Sequence, residues 1–394
     1  MYEIMSADEA IRLIRDGDCI CVNSFVGIEN PTELHEALYR RYQKMQSPTH
    51  LTIVSSAGFG VWDDEHNAEG YIREGAVDKL ICGHFGAMMS TKKLVLEDRF
   101  EAYNLPLGCI SHAIRAQAGG LPGALSKVGL DIFVDPRREG PGINRISIDD
   151  SLVKHVEVDG DEFLYYKLPK ITIAMIKGTA ADRKGNITFD DMFMSGDALS
   201  ICQAVKANRG KVIVQVDRLV ATPSRPRNAI IPGCLVDAIV VAEPQERNEA
   251  YMALTGSFEI PYKEWHTWNE KINDLSQKQR KNNILANIIG KRAAQELRVD
   301  DIVNIGIRIP ETVARFARKS GMLDMITLTV ESGGIGGFPV SGEAFGAMIG
   351  AASVYDMANQ FDLYDNGGLD VCFMGALEVD KYGNINAHRG TGAF

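Results

Sequence analysis

Two spacings of apolar residues share the start of the chain. Ser6 followed by Glu9 makes a capping-box pattern, and Ala10, Leu13 and Ile14 continue an amphipathic helix behind it. The mostly apolar run Cys19 to Phe25 predicts a strand. Gly27 then turns the chain into a second helix starting near Pro31, a residue suited to a first helical turn. Leu51 to Ser55 predicts another strand, ending in the small run Ser56-Ala57-Gly58-Phe59-Gly60. Strand, glycine turn, helix, strand is the rhythm of a parallel α/β sheet.

The same rhythm returns near the other end. Ala293 to Leu297 closes a helix, Asp301 to Ile305 predicts a strand, and Gly306-Ile307-Arg308-Ile309-Pro310 copies the spacing from Gly27 to Pro31. The strand Ile326 to Val330 answers Leu51 to Ser55. A third match pairs Asp182 through Gly185-Asn186-Ile187-Thr188 with Asp380 through Gly383-Asn384-Ile385-Asn386. Two halves of one ancestral fold follow: two related open, mainly parallel α/β domains.

The halves are unequal. Between its second and third matching segments the first is about 77 residues longer, much of it rich in glycine and turns, such as Gly119-Gly120-Leu121-Pro122-Gly123. Glycine and proline at this density predict loops on a rigid sheet. After Asn186 the first half goes on to a helix around Ala198 to Val205, strands at Lys211 to Val216 and Val236 to Val241, and a proline-rich crossing between them. The second half has no equivalent, so its sheet is expected to lack about a helix and two strands at its C-terminal side. The expected organisation is a first domain over 1–262, a polar linker and connecting helix over 263–292, and a catalytic domain, truncated, over 293–394.

The stretch Ile326 to Gly337, ITLTVESGGIGG, is where the chemistry concentrates. A β-branched, alternating strand runs straight into Glu331, and Gly333, Gly334, Gly336 and Gly337 then permit turns that larger side chains block. Open α/β sheets bind ligands beyond the carboxyl ends of their strands. A carboxylate there serves as base, ligand or nucleophile, or is a solvated residue closing a strand, and the segment alone leaves these open. Aligning Leu51 with Ile326 places Ser56 opposite Glu331, so one half only carries the acid, which favours chemistry over scaffolding.

Composition narrows the partners. The 394 residues are 45% hydrophobic and 24% charged, exceed one ordinary core, and contain no apolar run long enough to cross a membrane. The first residues are neither a signal nor a basic transit peptide, so a cytoplasmic address is expected. The seven cysteines form no C-x-x-C pair and are expected to be reduced core residues; no metal site is expected. A net charge of -10 disfavours nucleic acid and acidic membranes.

These residues match a known pattern. The segments Ser24-Phe25-Val26-Gly27, Lys127-Val128-Gly129, Phe133-Val134-Asp135-Pro136-Arg137, Lys177-Gly178-Thr179, Val330-Glu331-Ser332-Gly333, Gln360-Phe361-Asp362-Leu363-Tyr364-Asp365, Gly367-Gly368-Leu369-Asp370 and Gly383-Asn384-Ile385-Asn386 run along nearly the whole chain. In them the chain resembles the family I CoA-transferases, among them acetate and propionate CoA-transferases with both halves on one polypeptide. The glutamate-serine-glycine signature is highly specific in that context. The resemblance implies ping-pong transfer of CoA from a short-chain acyl-CoA to a carboxylic acid, with Glu331 as the nucleophile that carries CoA as a thioester. It implies coenzyme A as substrate with no permanently bound cofactor, and a homo-oligomer, dimer or tetramer.

By the same resemblance the Ile307 amide, freed by Gly306, donates to the oxyanion, and Asn384 falls where the family has an active-site asparagine. Its twin Asn186 gives Asn384 an equal claim to be a turn residue. Gly333, Gly334, Gly336, Gly337, Gly367 and Gly368 either shape the channel for substrate and CoA or only make turns. Leu107 stands where related enzymes commonly have Gln, which opens the site to a bulkier or more apolar acid. Two other outcomes stay open: hydrolysis of the acyl-CoA by water, and a CoA-binding remnant without activity.

Overall fold

The computed structural model describes residues 2–59, 69–149, 151–242, 284–306, 309–340 and 345–386. The chain divides into two compact units, Met1–Tyr251 with Asp356–Ala358, and Met252–Tyr355 with Asn359–Phe394. The expected linker lies outside the described residues as far as 283, and from Ile284 the chain is helical.

The first unit opens with β1 (Glu3–Ile4) and the short helix α1 (Ala7–Ala10), where Ser6 and Glu9 form the expected capping box. Then come β2 (Cys19–Val22), α2 (Thr32–Met45) with Pro31 at its N-cap, and β3 (Leu51–Ser55). The glycine-rich stretch is more ordered than expected. It contains α3 (Gly70–Arg73), β4 (Val77–Cys82), α4 (Met89–Leu96), β5 (Glu101–Asn104) and α5 (Leu107–Ala118). Beyond it, β6 (Ala124–Ser126), β7 (Val153–Val158) and β8 (Asp161–Tyr166) make a separate antiparallel sheet in the order β6-β8-β7. The turn between β7 and β8 is Asp159-Gly160, both at positive φ, the backbone of a tight hairpin.

β9 (Ile173–Asp182), β10 (Ile187–Thr188), α6 (Ala198–Ala207), β11 (Lys211–Val220), β12 (Ala229–Ile231) and β13 (Ala238–Val241) complete the unit. Its main sheet runs β1-β13-β11-β9-β2-β3-β4-β5, every pair parallel. β9 is buried along its whole length, as expected for a strand covered on both faces.

The second unit repeats the centre of this sheet. α7 (Ile284–Ala293), β14 (Ile302–Ile305), α8 (Glu311–Lys319), β15 (Thr327–Thr329), β16 (Gly334–Ile335), β17 (Phe338–Pro339), β18 (Met348–Ile349), β19 (Ser353–Val354), α9 (Met357–Asp365), β20 (Val371–Phe373), β21 (Glu378–Val379) and β22 (Ile385–Asn386) follow in order. The sheet order is β19-β16-β15-β14-β20, with the last three strands parallel. In the first unit β9 has β11 on its far side; among the described residues nothing pairs with β20 there. Met374, Leu377, Val379 and Ile385, which follow that strand, are each at least 60% exposed.

Strand registers make the repeat concrete. β2 meets β3 with Cys19 beside Thr52, and β14 meets β15 with Ile302 beside Thr327. Carried forward, Ser56 corresponds to Glu331, Cys21 to Asn304 and Val54 to Thr329. The expected equivalence of Gly27 with Gly306 shifts, because strand register puts Asn23 opposite Gly306. The first unit spends the difference on an extra tight turn, Phe25 to Ile28, closed by a pair of backbone hydrogen bonds.

Ser56 itself donates to a carboxylate, Asp197 Oδ2, at 2.6 Å, and Ser111 donates to the same oxygen at 2.7 Å. Asp197 is buried, its Oδ1 has no partner among the described residues, and burial pushes its pKa up to about 6 against those hydroxyls. The folded chain therefore holds a proton there that the unfolded chain, at its ordinary value of 3.8, has already released. This group's contribution to stability falls as pH rises between those values and is flat above them. The buried His35 works in the opposite sense, since its folded value is lowered to about 3. The test is accordingly a difference: the stability of Asp197→Asn relative to the parent rises from about pH 4 to about pH 6 and then levels. A pH-independent difference in urea titrations contradicts this.

Candidate active site

Local sequence explains how Glu331 is presented. β15 is short, and Glu331 begins the turn that follows it at the carboxyl end of the parallel strands. The Gly333 N–H donates to Val330 O at 3.1 Å, the Val330 N–H to Gly334 O at 3.0 Å, and the Tyr355 N–H to Gly333 O at 2.9 Å. The Ser332 side chain is buried and donates to Gly346 O. Gly333 sits at φ 118, and a Cβ there would lie 2.1 Å from Tyr355 O. The turn admits only glycine at that point.

The Glu331 carboxylate is lifted above its ordinary pKa of 4.5 by burial. Its own backbone N–H and the side-chain amide of Asn304 donate to it and pull the other way, less strongly. Oε2 is buried with no partner among the described residues. Neighbouring polar groups extend the site. Asn304, 4% exposed, lies on β14 directly beside Thr329 of β15 and Cys372 of β20. Asn304 Nδ2 donates to Tyr364 Oη at 3.3 Å, Tyr364 donates to Thr329 Oγ1 at 2.8 Å, and Thr329 donates to Val303 O at 3.1 Å. Cys372 Sγ donates to Asn304 Oδ1 at 3.4 Å. Burial, and then the negative charge of Glu331, raises the Tyr364 pKa, so its phenol keeps its proton. Gln360, fully buried one turn earlier on α9, brings its side-chain amide to the Tyr364 phenol, which pulls the phenol pKa down against that rise.

Other anticipated residues fall in several places. Ile307 lies outside the described residues. The Gly306 N–H donates to Phe373 O at 2.8 Å, and the Gly336 N–H to Leu328 O at 2.8 Å, so both are committed to the sheet. Gly334 pairs with Val354 in β16, and the Gly337 N–H faces Met348 Sδ at 3.1 Å. Gly367 and Gly368 close α9: their N–H groups donate to Tyr364 O at 3.1 Å and Leu363 O at 2.9 Å. That pattern ends a helix with a left-handed glycine, here Gly367 at φ 77. Asn384 is exposed, and its Nδ2 donates to Asp380 at 2.7 Å. Its twin Asn186 does the same to Asp182 at 2.9 Å, so closing this turn is common to both units.

Asn304, Thr329, Gln360, Tyr364 and Cys372 were not anticipated as site residues. A signal for two of them exists in the repeat, since Asn304 and Thr329 are polar where the first unit has Cys21 and Val54. Tyr364 and Gln360 reach the site from a helix, which strand patterns do not reveal.

Comparison with known proteins agrees with this geometry. The family model described as coenzyme A transferase matches residues 4–242 and 286–390. An acetate CoA-transferase of Escherichia coli K12, YdiF, is 37% identical, covering 99% of this chain and 73% of its own length. A caffeate CoA-transferase of Acetobacterium woodii is 35% identical over the same shares. The crystal structure of the acyl-CoA transferase YdiF from Escherichia coli O157:H7, described as a thioester complex with CoA, superposes with a TM-score of 0.85 at 34% identity, over all of this chain and 72% of that one. Matching on both sides of the undescribed middle, and along nearly its full length in relatives of one chemistry, the chain belongs to the coenzyme A transferases of family I.

Proposed function

We propose that Glu331 is the covalent nucleophile of a ping-pong transfer of CoA from a short-chain acyl-CoA to a carboxylic acid. The observation that carries this reading is a carboxylate whose Oε2 is buried and, among the described residues, unpartnered, at the carboxyl end of the repeat's central strands. The carboxylate attacks the thioester carbonyl, the C–S bond breaks, and an acyl-glutamyl anhydride and CoA thiolate result. The thiolate then attacks the glutamyl carbonyl, which gives glutamyl-CoA thioester and the free carboxylate of the donor. A second acid reverses the two steps. No proton has to leave the nucleophile, so no general base is required.

A carboxylate is a weak nucleophile, and the rate rests on holding it in attack geometry and stabilising the tetrahedral oxyanion. Asn304 does the first. The Ile307 amide is the proposed donor for the second. The description of the YdiF crystal structure as a thioester complex supports the covalent step. Relatives named for acetate and for caffeate bracket the acceptor, from a two-carbon to an aromatic acid. A homo-oligomer is part of the proposal. Incubation with acetyl-CoA tests it: a new thioester that forms only when a second acid such as propionate is added marks transfer, whereas free CoA released at the same rate without acid marks hydrolysis.

Ionised Glu331 is the reactive form, so activity is lost as pH falls through its raised pKa. The acid limb of kcat/KM is expected above 4.5, the group's ordinary value. Asn304→Ala removes a donor to the charged form, moves that limb further up and lowers the rate by about 10- to 100-fold. A limb at or below the ordinary value in the parent enzyme contradicts the assignment.

A further inference from the structure

The side chains around Asn304 form a chain of hydrogen bonds whose direction is fixed at one end. Val303 O is a backbone carbonyl and can only accept, so the Thr329 hydroxyl spends its proton there. Thr329 Oγ1 must then accept at its other contact, and the Tyr364 proton points to it at 2.8 Å. The phenol oxygen therefore turns a lone pair toward Asn304 and accepts from Nδ2 at 3.3 Å. Cys372 Sγ supports the same orientation by donating to Oδ1 from the neighbouring strand at 3.4 Å. With its oxygen engaged there and one amide hydrogen on Tyr364, Asn304 has its second hydrogen for the Glu331 carboxylate, which accepts only.

We infer that Tyr364 and Thr329 are positioning residues that set which way the Asn304 amide faces and thereby hold Glu331 ready to attack. Neither touches the reacting atoms. The inference rests on Glu331 being the nucleophile and adds to it the polarity of its support. It also accounts for where α9 ends: the two glycines that close the helix stop it immediately after the turn that carries Tyr364. Phe361, one turn back, packs edge-on against the Tyr364 ring at 5.5 Å and fixes the ring plane.

Shape and polarity make opposite predictions at Thr329, which is fully buried. Thr329→Val keeps the shape and removes the hydroxyl, and Thr329→Ser keeps the hydroxyl and removes a methyl group. The experiment is single-turnover formation of the CoA adduct on the full chain, followed by intact mass, with acetyl-CoA varied to separate its binding from the covalent step. Thr329→Val and Tyr364→Phe are expected to slow adduct formation about tenfold at unchanged acetyl-CoA affinity. Thr329→Ser is expected to keep the parent rate. Tyr364→Phe in an Asn304→Ala background is expected to add nothing, because the group it orients is gone.

A parent-like rate for Thr329→Val, or effects of Tyr364→Phe and Asn304→Ala that multiply, overturns the inference. Tyr364→Phe removes a single hydroxyl and serves where a Thr329 variant fails to fold. Absence of any adduct on the parent protein overturns the nucleophile assignment instead, and the inference falls with it.

Discussion

Glu331→Gln is expected to lower CoA transfer by roughly four orders of magnitude or more and to abolish the covalent species, with the fold intact. Gln keeps the shape of the side chain and leaves Asn304 an oxygen to donate to, so the surrounding bonds survive. What disappears is the charge that attacks the thioester. Glu331→Asp retains the charge and retracts it by one methylene, and a misplacement of about 1 Å costs on the order of 100-fold. The ordering parent, Asp, Gln separates nucleophilic attack from a general electrostatic role, in which Asp would be nearly equivalent to the parent. Steady-state rates with acetyl-CoA and propionate decide between them.

Gly333→Ala is the second large effect, and it is on stability. The backbone there is at φ 118, far from the small left-handed region that other residues visit, and the added Cβ would lie 2.1 Å from Tyr355 O. Strain and overlap together cost about 3 kcal/mol, felt in the turn that presents Glu331. Gly367→Ala is the control. That glycine is at φ 77, and among the described residues an added Cβ would meet nothing within 4 Å, so conformational strain alone applies, about 1 kcal/mol. Urea midpoints of the two variants against the parent measure the contrast; equal shifts would mean that Tyr355 gives way at little cost.

Much of the parallel framework was legible in sequence because its signals are local. Leu51 to Ser55 is a strand over the expected residues, and the Ser6–Glu9 capping box and the helix behind Pro31 form as their side chains dictate. The insertion departs from its sequence pattern. Its glycines suggested loops, yet β4 and β5 extend the sheet and β7 and β8 form a hairpin around Asp159-Gly160. Glycine marks a turn and carries no information on how much regular structure lies between turns.

At the site, Glu331 stood out because the repeat puts Ser56 at its equivalent. Nothing local marks Asp197 as the acid that meets Ser56, since it arrives from the start of a helix more than a hundred residues away. Tyr364 is the same problem in the second unit, being set by how α9 lies against β14 and β15. Side chains that reach a site from another layer depend on packing, and sequence period records which face is apolar and not what that face meets.

A carboxylate that becomes a thioester for part of each turnover is the central proposal. Its most direct test is to incubate the protein with acetyl-CoA, quench at acid pH, digest, and map the peptide that contains Glu331 by mass spectrometry. The expected result is a mass increase of CoA less one water on Glu331, removed by adding acetate and absent in Glu331→Gln. CoA bound covalently at any other residue, or a Glu331→Gln protein that forms the same adduct, would contradict it.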